Sequence, residues 1–280
     1  MPQRMWKHMS DTLLTDVHNG IMTITLNRPA KLNAFNEQML QDLLEAYKRA
    51  DEDDEVQVVI VTGSGRAFCA GSDLSSGKDT FSSEESANDY RDTGGQLSLQ
   101  VYNLKKPVIA AINGAAVGVG ITMTLPMDIR IVTKGAKLGF VFGRRGIGPE
   151  ACSGWFLPKI VGIGKALEWV LTGRMFTSEE AISNGLVHYE VENALEKALE
   201  IAREIVENTS SVSNAFSRQL LWSMLGKESP IDSHLYESRF IHWAGKQADA
   251  KEGVAAFMEK RTPSFNMSVN EMPNFIKGRS

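Results

Sequence analysis

Three short apolar runs divide the first half of the chain into repeated units. They lie at residues 56–61, 108–112 and 129–132 and are rich in β-branched residues, with few polar ones. Such runs are typical of strands that are buried on both faces of a parallel sheet. Each run is followed by a turn, and strand, glycine-rich turn and helix recur at intervals of roughly 50 residues. This pattern predicts an α/β fold built from repeated units.

Two local patterns predict the elements that precede the first run. The segments LLTDV and IMTITL flank the dipeptide Asn19-Gly20, and Asn-Gly is the strongest short-range signal for a β-hairpin turn. Residues 36–50 then place apolar side chains on one face at helical spacing, with Asn36 in the position of an N-cap. We therefore expect a β-hairpin followed by an amphipathic helix.

The pattern becomes predominantly helical beyond about residue 163. Thr177 and Glu180 have the spacing of a capping box, and Asn184-Gly185 is typical of a helix end. Further predicted elements are a short strand at 186–191 and helices at 193–208, at 211–225 and onward to about residue 258.

Two glycine-rich turns come directly after apolar runs. GSGRAFCAGSDL begins at Gly63, and NGAAVGVG begins at Asn113. Glycine lets main-chain N–H groups approach a ligand without an intervening Cβ, so two such turns predict a backbone-built anion site. Tight connections between strands and helices explain the same glycines without a ligand. Neither turn contains the complete G-x-G-x-x-G of dinucleotide enzymes or the G-x-S-x-G of serine hydrolases.

Composition restricts the class of protein. The chain has 280 residues, of which 42% are hydrophobic and 23% charged, and a formal net charge of -4, as in ordinary globular proteins of one large or two small domains. No apolar stretch approaches the roughly 18 residues that a membrane span needs, and MPQRMWKHMS lacks a secretory signal pattern, so we expect a cytoplasmic protein without membrane contact. The absence of a basic stripe argues against nucleic acid. Cys69 and Cys152 form neither a disulfide framework nor a metal-binding spacing.

The sequence around these turns is similar to one known family. NRPAKLNAF, GRAFCAGSDL, KPVIAAINGAAVGVG, LPMDIRIV, PEACSGWFLPKIVG, LTGRMFTSEEAISNGLV and FMEKRTPSF resemble, in order and spacing, the enoyl-CoA hydratase/isomerase (crotonase) superfamily over most of residues 12–265. The resemblance implies a crotonase-like ββα spiral with the acyl-CoA site at residues 10–200. It also implies a C-terminal helical region at 201–280 that joins subunits into trimers, often paired as hexamers. The expected substrate is an acyl-CoA thioester of fatty acid metabolism, with no metal and no cofactor beyond the CoA moiety.

The resemblance also implies which residues carry the chemistry. The family stabilises a thioester enolate with two backbone N–H groups, and AGSD and GVG align these with Ser72 and Val119. Val119 departs from the usual glycine, but a backbone donor tolerates a side chain as long as φ stays negative. Two-glutamate hydratases have acids where this chain has Thr122 and Phe142. Glu150 of GPEACSG aligns instead with the single catalytic glutamate of Δ3-Δ2-enoyl-CoA isomerases.

These alignments favour an isomerase with one glutamate base and leave other interpretations open. The alternatives are a 2-enoyl-CoA hydratase, or a non-catalytic acyl-CoA-binding member of the same fold. A 4-chlorobenzoyl-CoA dehalogenase has an aspartate at the position of Glu150, but its histidine base and aromatic-lined pocket have no counterpart here. Glu150 also has a structural explanation, because it follows Pro149 at the predicted start of a helix. A helix start would lower the pKa of Glu150. Four aromatic neighbours are expected to form an apolar wall that raises this pKa and offsets the effect of the helix: Phe140, Phe142, Trp155 and Phe156.

For the CoA moiety the resemblance implies contacts near the first glycine-rich turn. The residues are Arg28, the backbone around Ala67, Ala70 and Asp73, and Leu74 against the apolar portion. Lys260 is expected to reach a phosphate from a neighbouring subunit. Arg28 and Lys260 are equally compatible with exposed cations that bind no ligand.

Two further segments flank the expected site. Residues 75–95 are rich in Ser, Asp, Glu and Gly with little periodicity, which predicts a mobile loop that acts as a pocket lid. Arg144 and Arg145 form a charged pair in an apolar neighbourhood. They either bind a polar acyl group, anchor Glu150 or face solvent.

Overall fold

Strands and short helices alternate through the first two thirds of the fold. The computed structural model describes residues 7–276. The strands of this part are β1 (Lys7–Met9), β2 (Leu13–His18), β3 (Ile21–Leu26), β4 (Val58–Gly63), β5 (Ala67–Cys69), β6 (Val108–Ile112), β7 (Ala115–Val117), β8 (Ile129–Thr133), β9 (Lys137–Gly139), β10 (Met175–Thr177) and β11 (Tyr189–Val191). The α-helices of the described chain are α1 (Glu37–Glu52), α2 (Thr93–Asn103), α3 (Val119–Thr122), α4 (Ser153–Val161), α5 (Ile163–Thr172), α6 (Ser178–Ser183), α7 (Ala194–Asn208), α8 (Ser211–Met224), α9 (Ile231–Ala244) and α10 (Ala248–Glu259), of which α7 to α10 follow the last strand.

The strands form two sheets. The larger sheet has the order β1-β2-β3-β4-β6-β8-β11, antiparallel from β1 to β3 and parallel from β3 to β11. The smaller sheet has the order β10-β9-β7-β5, in which only the pairing of β10 is antiparallel. A strand of the larger sheet is repeatedly followed by a short strand of the smaller one, as in β4 to β5, β6 to β7 and β8 to β9. This repetition confirms the predicted α/β architecture of repeated units.

Local sequence accounts for the first elements. β2 and β3 pair from Leu13 with Leu26 to His18 with Ile21, and the turn between them has positive φ at Asn19 (50°) and Gly20 (77°). Both residues tolerate this conformation, which a two-residue hairpin needs. The side chain of Asn36 accepts a hydrogen bond from the Met39 N–H at 3.0 Å and caps α1. The predicted hairpin and amphipathic helix are therefore confirmed.

The larger sheet is covered on both faces, which explains its uninterrupted apolar runs. Its strands contribute alternate side chains to two clusters of buried apolar residues. One cluster includes the buried face of α1, and the other includes Ala194, Ala198 and Ala202 of α7. Small side chains let α7 lie close to the sheet. The predicted boundary between residues 200 and 201 falls inside α7, and the division into two regions stays a prediction.

The C-terminal helices have an apolar cluster of their own. The rings of Phe216 in α8 and Phe240 in α9 stack at 3.9 Å between centroids. Arg218 joins α8 to the rest of the fold, because its guanidinium donates to Asp128 Oδ2 at 2.7 Å and to the Val101 carbonyl at 2.9 Å. No helix between residues 7 and 276 has the length and apolar character to cross a membrane.

The predicted capping box of α6 forms only in part. Thr177 Oγ1 accepts the Glu180 N–H at 3.3 Å as expected. The Glu180 carboxylate does not accept the Thr177 N–H, as a complete capping box requires. It accepts instead from Trp169 Nε1 at 2.9 Å and from Arg174 Nη1 at 2.8 Å. The reciprocal half of the prediction is wrong because Glu180 has an ion-pair partner. The predicted end of the helix is confirmed, with Gly185 at φ 74°.

Replacing Arg218 by Met is expected to destabilise the protein by about 1–3 kcal/mol, because the carbonyl oxygens at the end of α2 lose this buried donor. The ion pair with Asp128 is lost as well, although Asp128 keeps the Val108 N–H and Trp222 Nε1 as donors. Equilibrium denaturation in urea measures the change. Lys227→Met removes an exposed ion pair with Asp232 and is the matched control, expected to leave the midpoint nearly unchanged. Equal effects of the two substitutions would contradict this account of Arg218.

Candidate active site

A pocket of about 280 Å³ lies between the two glycine-rich turns and the segment 141–150. Five of the predicted catalytic and CoA-binding residues line it: Ala70, Ser72, Leu74, Val119 and Glu150. The other lining residues are Phe35, Gly71, Phe81, Tyr90, Asp92, Thr93, Gly94, Val117, Gly118, Val141, Phe142, Arg145, Ile147 and Gly148. The structure therefore brings together the residues on which the proposed chemistry depends.

The first glycine-rich turn leaves the Ser72 amide unpaired at the pocket. The Phe35 N–H donates to the Gly71 carbonyl at 2.8 Å, and the Asp73 N–H donates to the Phe35 carbonyl at 2.7 Å. Ser72 lies between these bonds, and its N–H has no acceptor within residues 7–276. Gly71 has φ 111°, a conformation that favours glycine.

The second turn presents another free amide, that of Val119. Gly118 has φ 54°, and Val119 is the first residue of α3. The first N–H groups of a helix have no intrahelical acceptor, and the Val119 N–H has none elsewhere in the described chain. Val119 is not among the residues with positive φ, so a valine fits where the family usually has glycine. The glycine that this turn needs for space is Gly120, because a Cβ there would lie 2.1 Å from the Cys69 carbonyl oxygen.

Glu150 is held by a turn rather than by a helix. Ala151 and Cys152 have φ of 54° and 55°, and α4 begins only at Ser153. The Ala151 N–H donates to Asp92 Oδ2 at 2.9 Å. The predicted helix start at Glu150 is therefore wrong, because two successive left-handed residues separate the glutamate from α4. Helix capping does not explain this residue.

The Glu150 carboxyl group fits closely between two elements. Thr122 Oγ1 donates to Glu150 Oε1 at 2.5 Å. On the other side, a Cβ added at Gly94 would lie 2.1 Å from Glu150 Oε2. Gly94 thus provides the space that the carboxylate occupies.

Sequence reasoning missed Asp92 and Gly94 because it assigned residues 75–95 to a loop. In the structure α2 already begins at Thr93, and Asp92 caps it by accepting the Gly95 N–H at 2.6 Å. The signals that could have revealed this helix are Asp92, a favoured N-cap residue, and the apolar residues Leu97 and Val101, which are four positions apart. Residues 74–79 form a short 3₁₀ helix, so the segment is only partly irregular.

Burial raises the pKa of Glu150 to about 7. The charge of Asp92 adds to this rise, and the hydrogen bond from Thr122 opposes it. A carboxyl group with a pKa near 7 is suited to take up and return a proton at neutral pH.

The predicted apolar wall is largely absent from the site. Of its four aromatic residues only Phe142 lines the pocket. Phe140 stacks on Trp169 at 6.0 Å, and Phe156 packs edge-on against Tyr102 at 5.9 Å, as Trp155 does. Phe140 and Phe156 belong to the core and Trp155 is 38% exposed, so none of these three rings covers Glu150 in the pocket.

The residues predicted to bind CoA occupy three kinds of position. Ala70 and Leu74 line the pocket, and Leu74 is 48% exposed. Arg28 Nη2 contacts Asp73 Oδ2 at 2.7 Å, so this pair ties the first turn together, and Arg28 lowers the pKa of Asp73. Ala67 is buried in β5, and Lys260 is an exposed residue at the end of α10. Their contacts with CoA stay predictions.

The described residues contain no group of three or more His, Cys, Asp or Glu side chains that is arranged as a metal site.

Comparison with known proteins identifies the family. Residues 16–268 match the model of the enoyl-CoA hydratase/isomerase family. The chain belongs to this family. An enoyl-CoA hydratase of Alternaria alternata is 42% identical over 256 residues, which are 90% of this chain and 85% of that protein. The 1,2-epoxyphenylacetyl-CoA isomerase of Escherichia coli is 33% identical over 264 residues, which are 92% of this chain and 99% of the relative.

Solved structures agree with this assignment. A probable enoyl-CoA hydratase/isomerase from Mycobacterium abscessus has a TM-score of 0.82 and 30% sequence identity, and the match covers 94% of this chain and 99% of that one. A putative enoyl-CoA hydratase from Streptomyces coelicolor has a TM-score of 0.84 and 28% identity, and covers 91% and 94%. The protein is therefore an enzyme of the crotonase superfamily with the crotonase fold, as the sequence predicted.

Replacing Glu150 by Gln is expected to stabilise the enzyme increasingly as the pH rises from 4.5 to about 7. In this interval the unfolded chain loses the Glu150 proton and the folded chain keeps it, so the stability of the wild-type protein falls with rising pH. At pH 8 the difference reaches at most about 3 kcal/mol. Urea denaturation of both proteins across this range measures it. A difference that stays constant with pH would contradict the raised pKa.

Proposed function

We propose that this enzyme is a Δ3-Δ2-enoyl-CoA isomerase in which Glu150 is the only catalytic acid-base group. The observation that carries the proposal is a single available carboxyl group with a pKa near 7 in a pocket that also contains the unpaired backbone amides of Ser72 and Val119. The Asp92 carboxylate also lines the pocket, but its Oδ2 accepts the N–H groups of Gly95 and Ala151. Asp92 therefore has a structural role, and proton transfer is assigned to Glu150.

In the proposed reaction Glu150 moves one proton along the acyl chain. As a carboxylate it removes a proton from C2 of a 3-enoyl thioester, and the double bond shifts from C3–C4 to C2–C3. The protonated Glu150 then returns the proton to C4, so no water, oxidant or reductant is consumed. The pKa of about 7 places the two protonation states of Glu150 close in free energy at neutral pH.

The two free amides are assigned to the enolate oxygen. Loss of the C2 proton leaves negative charge on the thioester oxygen, which needs preorganised donors. We assign these donors to the N–H groups of Ser72 and Val119. Removal of one such donor typically costs about 2.7–4 kcal/mol of transition-state stabilisation, so a pair accounts for much of the acceleration.

Hydration is less well supported by the same side chains. It requires a second acid-base group to hold and deprotonate water, and the two aligned positions are Thr122 and Phe142. Thr122 Oγ1 already donates to Glu150, and Phe142 is buried. The Alternaria relative is nevertheless named a hydratase, so hydration of crotonyl-CoA is the appropriate comparison reaction.

We also propose that the subunits assemble into trimers, or hexamers formed from two trimers, with Lys260 of one subunit near the CoA of another. Exposed apolar side chains on the C-terminal helices support assembly, among them Ile231, Phe257 and Met258, which are 65%, 85% and 76% exposed. The cytoplasmic location stays a prediction.

The experiment that tests the function compares 3-hexenoyl-CoA and crotonyl-CoA with the wild-type enzyme and with Glu150→Gln in deuterated buffer. NMR and mass spectrometry follow the products. We expect the wild-type enzyme to convert 3-hexenoyl-CoA to its 2-enoyl isomer, and the variant to lose this activity by about 10²–10⁴-fold, the usual contribution of general acid-base catalysis. Binding of hexanoyl-CoA serves as the control and is expected to persist.

Two other results would overturn the proposal. Hydration of crotonyl-CoA without isomerisation would identify a hydratase, and unchanged turnover in Glu150→Gln would place the base elsewhere. Tight binding of acyl-CoA with no turnover of either substrate would favour the non-catalytic alternative.

Gly94→Ala is expected to lower kcat for 3-hexenoyl-CoA by about 100-fold or more, because displacement of a catalytic group by about 1 Å commonly has an effect of this size. The new Cβ would lie 2.1 Å from Glu150 Oε2 and would force the carboxylate out of position. Gly148→Ala is the matched control, since Gly148 lines the same pocket and its Cβ would have no atom within 4 Å. Turnover is measured with thermal unfolding, which separates displacement from loss of fold. Equal activity of the two variants would contradict the role of Gly94.

A further inference from the structure

Arg144 and Arg145 are neighbours in sequence but have different surroundings. Both belong to a 3₁₀ turn at Phe142–Arg145. Arg144 lies against the end of α5: its Nε donates to the Thr172 carbonyl at 3.4 Å, and its Cγ lies 3.0 Å from the position of a Cβ at Gly173. Arg145 instead lines the pocket that contains Glu150.

The Arg145 side chain is available to a ligand. Within residues 7–276 it makes no ion pair and no side-chain hydrogen bond. The two carboxylates of the pocket have other partners, since Asp92 accepts two backbone N–H groups and Glu150 accepts from Thr122. Arg145 is also not among the groups that shift the pKa of Glu150. The alternative in which Arg145 anchors the base is therefore wrong.

The other side chains around Arg145 suit an acyl chain. Apolar and aromatic groups make up much of the pocket wall: Phe81, Tyr90, Val141, Phe142 and Ile147. An unbranched hydrocarbon tail would pack against these apolar groups but would give the Arg145 guanidinium no hydrogen-bond acceptor. Guanidinium groups bind carboxylates through two parallel hydrogen bonds, a geometry that a methyl end cannot match.

We propose that Arg145 forms a subsite for a carboxylate at the far end of the acyl chain. The preferred ligands are then ω-carboxyacyl-CoA thioesters rather than acyl-CoA thioesters that end in a methyl group. This inference rests on the proposed function only in taking the pocket as the site of the acyl chain. It requires no catalytic step and is tested by binding.

The test measures binding of saturated, unreactive ligands by isothermal titration calorimetry. Hexanedioyl-CoA is compared with hexanoyl-CoA, and octanedioyl-CoA with octanoyl-CoA, so that two chain lengths sample the distance to Arg145. The wild-type enzyme is expected to prefer the ω-carboxy ligand of at least one pair by about tenfold. The preference is expected to decrease with added salt, because the guanidinium is exposed.

Two variants of equal charge distinguish the subsite from general electrostatic attraction. Arg145→Gln is expected to abolish the preference, and Arg144→Gln, which removes the same charge beside the pocket, is expected to retain it. Absence of a preference in the wild-type enzyme at both chain lengths would overturn the proposal. Equal loss in both variants would overturn it as well, because net charge alone would then explain the binding.

The binding experiment tests the Arg145 subsite independently of the proposed isomerase activity. A preference for the ω-carboxy ligands without turnover of 3-hexenoyl-CoA would support the subsite and count against the isomerase. Turnover of 3-hexenoyl-CoA with no preference in binding would support the isomerase alone. A change in the oligomeric state of Arg145→Gln without a change in preference would assign Arg145 to a subunit contact and would overturn the subsite.

Discussion

The close approach of the two glycine-rich turns is the constraint on which the site depends. A Cβ at Gly120 would lie 2.1 Å from the Cys69 carbonyl oxygen, and one at Gly114 would lie 2.3 Å from the Arg66 carbonyl oxygen. Backbone packs on backbone at these points with no room for a side chain. The distance between the turns is consequently set by contacts between backbone atoms rather than by adaptable side chains. A rigid frame of this kind is suited to hold backbone N–H donors in fixed positions.

Glu150 is positioned at a cost in stability. Burial raises the pKa of Glu150 to about 7, so at neutral pH the fold holds a carboxyl group that would ionise more readily in water. Asp92 stabilises the turn that carries Glu150 through the Ala151 N–H, while its charge disfavours ionisation of the glutamate. Thr122 acts in the opposite direction by donating to the charged form. The protonation of Glu150 therefore reflects a balance between neighbours on separate segments of the chain.

Local signals in the sequence predicted the fold, whereas contacts between distant segments decided the details of the site. Asn19-Gly20 and Asn36 act on residues beside them, so the hairpin and the start of α1 could be predicted. The left-handed turn after Glu150 depends on Asp92, which is 59 positions away in the sequence. The expected aromatic wall failed for the same reason, since distant partners draw Phe140 and Phe156 into the core. Alignment located Glu150, but only packing revealed why the residue opposite it must be Gly94.

In the proposed isomerase, Thr122 takes the position that the resemblance assigns to an acid of the two-glutamate hydratases. A second carboxylate at that position would compete with Glu150 for protons, and the pair would titrate as a unit. The Thr122 hydroxyl instead donates to the Glu150 carboxyl group at 2.5 Å and orients it, and in the proposed reaction this group is the single proton carrier. One carrier that must both remove and return a proton is best served by a pKa near the working pH. Relatives with similar sequences are named as a hydratase and as an isomerase, which agrees with the general rule that the side chains of a site, rather than the fold, determine the reaction.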